Sequence, residues 1–449
     1  MFGKDRGRHL SSFQIIILGF LMVIIAGSCL LTLPVSTKDG AGAPFMDALF
    51  TATSAVCVTG LVVHDTATYW SAFGQGVILL MIQIGGMGVV TVAVSIARIS
   101  GRKIGLMQRS TMQEAIAAPK VGGIVRLTEF ILKVTFCIEL LGAAVMFPVF
   151  FREFGLPGGL WYSLFHSVSA FCNAGFDLMG VRQQYSSLTS FAGQPVINTA
   201  VMLLIIVGGI GFLTWDDIKN QRWHWKKYRM QSKVILTVTG VLILFPTLYF
   251  LFFEFSRPVW NEIPLSQKLW MSLFQAVTPR TAGFNTADLS SLTEAGQTIT
   301  IVLMLIGGSP GSTAGGMKTT TAAVLLFSAL AVFRRRECAE SFGRRIEGET
   351  IRQAAAILLM YLVLLLGGGI AISIMEELPV LPCFFEAASA IGTVGLTLGL
   401  TPGLGSVSRF ILILLMFFGR VGGMTLVFAA LSNGHRRVSK LPQEKITVG

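Results

Sequence analysis

The chain has 449 residues and a formal net charge of +12. Hydrophobic residues make up 53% of it and charged residues only 13%, against about 25% charged residues in a typical soluble domain. The mean hydropathy is +0.70. These values exclude an ordinary soluble enzyme or binding module and indicate an integral membrane protein.

Uncharged stretches long enough to cross a bilayer begin near the N-terminus. Residues 11–36 and 71–97 contain no charged side chain, and about 20 helical residues span a hydrocarbon core. The first stretch is too long for the core of an export signal, and no small-residue cleavage site stands out after it. Both stretches are therefore predicted to be membrane helices.

Lysine and arginine concentrate between the apolar stretches and at the two termini. Their five clusters lie within 4–8, 98–133, 219–233, 334–352 and 436–445. By the positive-inside rule all five are cytoplasmic, and so are both chain termini. Charge grouped in this way fits a membrane surface and does not call for a nucleic-acid partner.

Each interval between basic clusters must leave the cytoplasm and return, which takes an even number of crossings. In each interval we predict a long apolar helix, a shorter semi-polar helix and a second long helix. The predicted long pairs are 12–35 and 72–97, 127–151 and 195–215, 233–253 and 296–331, and 353–375 and 407–431. The short helices are 44–56, 159–171, 267–278 and 381–391, and none of them is long enough to span.

The predicted fold class is an all-α integral membrane protein with eight transmembrane helices and four re-entrant pore helices. Four parallel helix–pore-loop–helix repeats would surround a pseudo-fourfold central pore. The repeats are placed at 12–100, 101–220, 221–336 and 337–431, between cytoplasmic tails at 1–11 and 432–449.

A short motif recurs once in each repeat, at intervals of roughly 110 residues. A Phe is followed four residues later by Ser or Thr, and then by a Gly that precedes Leu or Phe. The copies are Phe50/Ser54/Gly60/Leu61, Phe165/Ser169/Gly175/Phe176, Phe274/Thr278/Gly283/Phe284 and Phe385/Ser389/Gly395/Leu396. A single copy is equally consistent with an extracellular loop and a chance glycine. Four copies in one register favour pore elements, since irregular backbone at membrane depth must be buried or line a wet cavity.

The residues that end in each of these glycines are the candidate K+ selectivity filter. A pore helix that enters from outside directs its carbonyl end toward the bilayer centre, where a cation is favoured. Dehydrated K+ needs a ring of carbonyl oxygens in place of its water, and glycine allows the left-handed backbone that aims them. The candidates are Val58, Thr59, Gly60, Asn173, Ala174, Gly175, Thr281, Ala282, Gly283, Thr393, Val394 and Gly395. None is charged, which suits K+ held by backbone carbonyls.

The fourth copy is similar to the K+ channel filter sequence TVGYG. Thr393, Val394 and Gly395 match its first three residues, and Leu396 stands where that sequence has Tyr. Only part of the sequence occurs in the other copies. The filter is therefore expected to be shorter than that of a K+ channel.

A second glycine motif lies on the second long helix of each repeat. It reads 85–88, 208–211, 307–308 and 422–423 in the four repeats. Small residues at one depth can simply pack helices closely, and for any single copy this interpretation stays open.

The third copy extends into ten residues without a large side chain, in the middle of a membrane segment. They are Gly307, Gly308, Ser309, Pro310, Gly311, Ser312, Thr313, Ala314, Gly315 and Gly316. This composition cannot form a continuous helix. We interpret the segment as a movable intramembrane gate below the filter.

Three basic side chains lie near these elements, and each is given a predicted role. Arg420 lies in the last apolar helix, where a lone cation usually has an internal partner; the carbonyls of 307–316 are candidates, and reaching to an interface is the alternative. Lys318 is assigned to the approach to the cytoplasm rather than to the gate. Arg280 is expected to brace the third pore loop from behind, through backbone or a carboxylate.

Three aspartates follow their filter glycines closely: Asp65, Asp177 and Asp288. Near an outer mouth they would raise the local cation concentration. Ordinary solvated loop charge explains them equally well.

With these motifs the chain resembles the Trk/Ktr/HKT superfamily of K+ transporters over residues 12–431. The third element, Thr278-Pro279-Arg280-Thr281-Ala282-Gly283-Phe284, is part of that likeness, and eight crossings are similar to the KtrB type of membrane subunit. The resemblance implies uptake of K+, with Na+ as a possible activator, through a pore in each subunit of a homodimer in the bacterial cell membrane. It implies a cytoplasmic ring of a nucleotide-binding RCK (KtrA-like) partner, filter glycines Gly60, Gly175, Gly283 and Gly395, and Arg420 as the stabiliser of the gate.

Other classes of function fit the sequence less well. A Na+-coupled alternating-access carrier usually has inverted repeats and ionisable residues at its site, whereas these four copies are parallel; a Trk-type subunit is the nearer alternative. A receptor or structural subunit would not need four filter-like elements. Six cysteines show neither metal-ligand spacing nor a disulfide pattern, and no catalytic constellation occurs, so neither a cofactor nor enzymatic activity is expected.

Overall fold

The computed structural model describes residues 11–99, 104–116 and 122–422. The predicted tails, except Ser11, and the end of the predicted helix 407–431 lie outside the described residues. Sixteen α-helices follow one another in the described chain: α1 (Ser12–Leu31), α2 (Phe45–Val56), α3 (Thr66–Tyr69), α4 (Ala72–Met87), α5 (Val89–Ile99), α6 (Leu106–Ile116), α7 (Ile124–Phe171), α8 (Pro195–Gly209), α9 (Phe212–Gln221), α10 (Met230–Tyr249), α11 (Leu265–Val277), α12 (Glu294–Leu305), α13 (Thr319–Phe333), α14 (Gly348–Glu376), α15 (Val380–Ile391) and α16 (Ser406–Val421).

The first membrane helix has a well-defined start. Ser11 Oγ accepts from the amide of Gln14, and the Gln14 side chain accepts from the amide of Ser11. This capping box satisfies two of the amides that a helix start leaves free. The polar pair thus fixes the start of the uncharged helix α1.

Four described helices are individually long and apolar enough to cross a membrane. They are α1, α7, α14 and α10 with the π-helical turn that extends it to Glu254. Two further crossings require bent pairs, α4 with α5 and α8 with α9, in which the axes turn by 98° and 95°. The prediction of one continuous helix over each of 72–97 and 195–215 is therefore wrong, because each is two helices joined at a bend.

Glycine in a left-handed conformation causes these bends. Gly88 has φ +86° and Gly211 has φ +90°, and Gly422 ends α16 at φ +87°. L-residues with a side chain rarely adopt such angles. The second glycine motif therefore ends a helix in the first, second and fourth repeats, while in the third it opens into the loop 307–316.

Three of the four short helices lie within two residues of their predicted bounds, and the remaining one ends at Phe171 as predicted. Three are separate, α2, α11 and α15, and the fourth is the last part of α7. That helix changes direction at Gly155 (φ +67°, ψ −173°), where the chain turns from a long helix into a short one. Each short helix packs beside a long helix of its own repeat.

Two short strands interrupt the all-helical fold between α13 and α14. β1 (Glu340–Ser341) pairs antiparallel with β2 (Arg344–Arg345). They lie within the predicted cytoplasmic cluster 334–352. The prediction of an all-α chain holds for the membrane segments and misses this hairpin.

Candidate ion pathway

The four motif glycines meet in a closed ring. A Cβ built on any one of them would fall within contact distance of the backbone of a neighbouring repeat. From that Cβ, the nearest carbonyl oxygen of the next repeat would lie 2.6 Å away for Gly60 (Ala174 O), 2.8 Å for Gly175 (Ala282 O), 2.6 Å for Gly283 (Val394 O) and 2.1 Å for Gly395 (Thr59 O). The repeats therefore follow one another around a single axis, and the ring has no room for a side chain at these positions.

Two residues of each candidate filter element have left-handed backbone. Besides the glycines, at φ +69° to +95°, the first residue of each element has φ between +50° and +64°. These first residues are Val58, Asn173, Thr281 and Thr393. Left-handed residues on both sides of a middle residue let successive carbonyls turn to one side. The sequence pattern indicated this conformation only at the glycines and not at the first position, where β-branched residues are strained.

The Ser or Thr of the motif lies at the end of the short helix, and its hydroxyl forms a hydrogen bond with the backbone at or just after the filter glycine. In the first and fourth repeats its hydroxyl accepts from the amide of the filter glycine, Ser54 from Gly60 at 3.1 Å and Ser389 from Gly395 at 3.0 Å. In the second and third repeats it instead donates to the carbonyl after the glycine: Ser169 to Phe176 and Thr278 to Phe284. The two modes coincide with Leu and Phe after the glycine.

All twelve candidate filter residues are buried. The described structure contains no hydrogen-bond partner for the buried hydroxyls of Thr59, Thr281 and Thr393. Buried polar atoms normally have a partner. Uncharged oxygens of this kind suit a cation that passes through rather than one held permanently.

Three of the four short helices end against a glycine of a second long helix. Cβ positions built on Gly85, Gly208 and Gly419 would lie 2.0–2.1 Å from the carbonyl oxygens of Val56, Phe171 and Ile391. In the first and second repeats the second glycine motif therefore does pack helices closely, as one interpretation allowed, and in the fourth repeat Gly419, just before the motif, does so. The motif also ends those helices, so both roles occur together.

The candidate gate loop lies directly beneath two filter elements. Gly307 donates to the carbonyl of Met317 at 2.8 Å and closes the base of the loop. Thr313 Oγ1 lies 3.2 Å from Asn173 Oδ1. A Cβ on Gly315 would lie 2.1 Å from Thr393 Oγ1. The loop therefore contacts the second and fourth filter elements.

Backbone hydrogen bonds hold the loop against the second repeat. Ser309 donates to the carbonyl of Gly209 at 2.9 Å, and Phe212 donates to that of Gly311 at 2.7 Å. These bonds use the backbone groups that the bend between α8 and α9 leaves free. The break in the second repeat and the loop of the third therefore satisfy each other.

Arg420 joins three repeats at this level. Its guanidinium donates to Thr313 O in the loop, to Gly85 O, and to Gly86 O at 3.2 Å. The side chain points toward internal carbonyls, as one of the two interpretations requires. Lys318 also belongs to this cluster, because its Nζ donates to Ala314 O at 2.9 Å and Gly315 O at 3.3 Å. The assignment of Lys318 to the approach to the cytoplasm, rather than to the gate, did not include that contact.

The predicted brace at Arg280 has a different partner. Arg280 is buried, and its guanidinium donates to Thr239 Oγ1 on α10 at 3.0 Å. The expected backbone or carboxylate partner is replaced by a hydroxyl. The backbone carbonyl of Arg280 accepts from Asn173 Nδ2 at 3.3 Å, which links the second and third elements.

The three aspartates after the glycines are held by local hydrogen bonds. Asp65 is buried, caps α3, and accepts from the amide of Tyr185 in the second repeat at 3.0 Å. Asp177 accepts from Met179 at 2.8 Å, and Asp288 accepts from Ser290 at 3.0 Å. Asp65 is therefore a structural link between repeats rather than solvated loop charge.

The fold and this site define a class: a helical membrane protein in which pore loops surround one axis. The chain belongs to the TrkH family of cation transport proteins, which matches residues 8–436. Members of this family move a cation as cargo, so the protein is a membrane transport protein without a cofactor and not an enzyme.

Relatives with assigned names cover nearly the whole chain. It is 40% identical to the potassium/sodium uptake protein NtpJ of Enterococcus hirae over 98% of both chains. It is 42% identical to the Ktr system potassium uptake protein B of Bacillus subtilis, over 93% of this chain and 92% of that protein. The fold is similar to that of the potassium transporter TrkH from Vibrio parahaemolyticus, with a TM-score of 0.72 at 19% identity, covering 95% and 86% of the two chains.

Proposed function

We propose that this chain is the K+-translocating membrane subunit of a bacterial Ktr-type potassium uptake system. The observation behind this proposal is the ring of four glycines, each packed against a carbonyl of the next repeat. Only uncharged backbone and hydroxyl oxygens are available there, which is the chemistry that replaces the hydration shell of K+. Relatives named as potassium uptake proteins support the choice of ion.

Conduction is passive and channel-like. The twelve residues from Val58–Gly60 to Thr393–Gly395 form a short filter, K+ binds at their carbonyls, and 307–316 is the gate that Arg420 and Lys318 hold closed. In this arrangement four pore helices and eight crossings, some of them broken, make up the four repeats at 12–100, 101–220, 221–336 and 337–431. Parallel repeats without an acidic filter residue favour this mechanism over a Na+-coupled rocking carrier.

Control of the gate comes from the cytoplasmic side. A Cβ on Gly311, at the tip of the loop, would lie 2.5 Å from the carbonyl of Ile116, the last residue of α6. This helix belongs to the basic connection between the first two repeats. A cytoplasmic RCK (KtrA-like) ring that moves α6 would therefore act on the loop. The subunit works as a homodimer in the cell membrane with both termini cytoplasmic, as the family resemblance implies.

Uptake by a transport-deficient bacterial cell tests the function. Cells that express this chain with an RCK partner should take up K+ faster than cells with the chain alone, and much faster than cells with an empty vector. Na+ is measured in parallel, because the name of the Enterococcus relative includes sodium. Na+ uptake that equals or exceeds K+ uptake, or no uptake of either ion, would overturn the proposal.

A further inference from the structure

One position of the pore helices is polar in all four repeats. The residue directly after the motif Phe is Thr51, His166, Gln275 or Glu386. All four side chains are at most 1% exposed. Burial of a polar group without a partner is unfavourable, so the partner of each side chain indicates its role.

Two of these side chains accept from the backbone at the same place beyond the filter. His166 Nε2 accepts from the amide of Leu178 at 3.4 Å, and Glu386 Oε1 accepts from the amide of Leu398 at 3.1 Å. Both amides lie three residues after the filter glycine. The Nδ1 of His166 faces the carbonyl of Tyr162 at 2.7 Å, which places the proton on Nδ1 and leaves Nε2 as the acceptor.

The other two repeats lack this bond. Thr51 Oγ1 and Gln275 Nε2 are buried without a hydrogen-bond partner among the described residues. Since the repeats follow one another around the ring, the second and fourth lie diagonally opposite. The backbone just beyond the filter is therefore held by a pore-helix side chain in two opposite repeats, the second and the fourth.

Glu386 makes more of these hydrogen bonds than His166, and we call its bonds to the segment 397–401 the Glu386 tie. Besides the amide of Leu398, its carboxylate accepts from the hydroxyl of Thr397 and from that of Thr401 at 2.6 Å. Both carboxylate oxygens thus bind the segment 397–401. This segment continues directly from Gly395, the glycine that packs most tightly on its neighbour.

We propose that Glu386 is a positioning residue for ion selectivity: it fixes the outer end of the fourth filter element from behind. This inference rests on the proposed K+ transport function. A binding site must be held to within about 0.5 Å by the shell that supports it. Release of 397–401 would let the carbonyls of Thr393 and Val394 relax, and the ring would then accept other monovalent cations.

The test separates the tie from the charge. Glu386→Ala removes every acceptor. Glu386→Gln keeps one oxygen for Leu398 and Thr397 and can donate to the hydroxyl of Thr401, so it preserves the tie without the charge. Thr51→Val is the matched control, because it changes the same position in the first repeat, where the hydroxyl has no partner.

Purified protein in liposomes is assayed for K+ and Na+ flux and for the external K+ concentration at half-maximal flux. We expect Glu386→Ala to lower the K+/Na+ flux ratio by about tenfold, the effect of losing about one charge-assisted hydrogen bond. Glu386→Gln should stay within about threefold of the parent protein, and Thr51→Val should match it. A purely structural role would lower maximal flux and leave the ratio unchanged, and that result overturns the proposal.

Two further results decide the remaining cases. If Glu386→Ala does not fold, Thr397→Val takes its place, because it removes one donor from a half-buried loop residue; an unaltered flux ratio in that variant counts against the tie. If Glu386→Gln is as unselective as Glu386→Ala, charge rather than position matters, and the proposal is wrong. Failure of the unmutated protein to transport K+ would refute the proposed function instead.

Discussion

At the scale of single residues, the filter elements combine strain with close contact. Val58, Thr281 and Thr393 are β-branched and yet left-handed, which costs on the order of 1–3 kcal/mol each. Hydrogen bonds such as Ser389 to Gly395 hold them there. Strain at the proposed ion site is therefore balanced by bonds from the pore helix behind it.

Gly283→Ser is expected to lower the K+/Na+ flux ratio by about tenfold or more. A side chain at Gly283 would collide with the Val394 carbonyl, because a Cβ there would lie 2.6 Å from its oxygen. Gly40→Ser is the control, since Gly40 has a similar φ of +71° but open space around it. Flux of both ions through liposomes measures the effect. If the Gly283→Ser protein keeps the K+/Na+ flux ratio of the parent, Gly283 is not part of the filter.

At the scale of elements, the second long helices carry the main departure from the predicted structure. In the first, second and fourth repeats, the second long helix ends at a glycine close to its contact with the short helix of the same repeat. The break at Gly88 depends on a backbone conformation that alanine tolerates poorly. Gly76, by contrast, lies in regular helix within α4.

This difference predicts opposite effects on stability. Gly88→Ala should lower the free energy of unfolding by about 1–2 kcal/mol, because φ is +86° there. Gly76→Ala should raise it by about 0.5–1 kcal/mol, since alanine is the better helix former and a Cβ at this position meets nothing within 4 Å. Thermal unfolding in detergent measures both. Equal shifts for the two variants would contradict the assigned backbone.

The loop 307–316 is the element proposed to limit flux. Deletion of 309–314 should raise K+ flux in the absence of any cytoplasmic partner, because the contacts of Thr313 with Asn173 and of Arg420 with Thr313 O are lost. Liposome flux measures the effect, and size-exclusion chromatography establishes that the protein is folded. Low flux through a folded deletion variant would show that the loop is not the barrier.

At the scale of the whole molecule, contacts between the last and first repeats close the ring. Arg409 Nη1 on α16 lies 2.7 Å from Asp47 Oδ1 on α2, and His64 Nε2 lies 2.8 Å from Asp47 Oδ2. The side chains of Arg409 and Asp47 are only 18% and 12% exposed. Removal of one partner from an ion pair shielded in this way costs more than removal from an exposed pair, because the other charge is left buried and unpaired.

Arg409→Gln should therefore lower the free energy of unfolding by about 1–3 kcal/mol, because the Asp47 carboxylate loses its main partner. Lys133→Gln is the comparison. It removes a pair with Glu129 whose side chains are 75% and 39% exposed, and it should change stability by less than about 0.5 kcal/mol. Thermal unfolding again distinguishes the two. Equal effects would mean that the Arg409 contact does not close the ring.

The sequence by itself determined the membrane class, the ends of the four short helices and the position of the break in the third repeat. Each of these depends on local properties: hydropathy over about 20 residues, the length of an apolar run, and a dense set of Gly, Ser and Pro. Local patterns also placed Arg420 in a membrane segment, where it required a partner.

Only the tertiary structure decided which groups meet. The bonds from Arg420 to Thr313 and Gly85 join residues 107 and 335 positions apart, and no local pattern contains such pairs. The bends at Gly88 and Gly211 were missed because glycine is compatible with both helix and left-handed backbone, and packing chooses between them. In the sequence Glu386 is one polar residue on a short helix, and no motif singles it out. Its role depends on the loop that the fold places behind the filter.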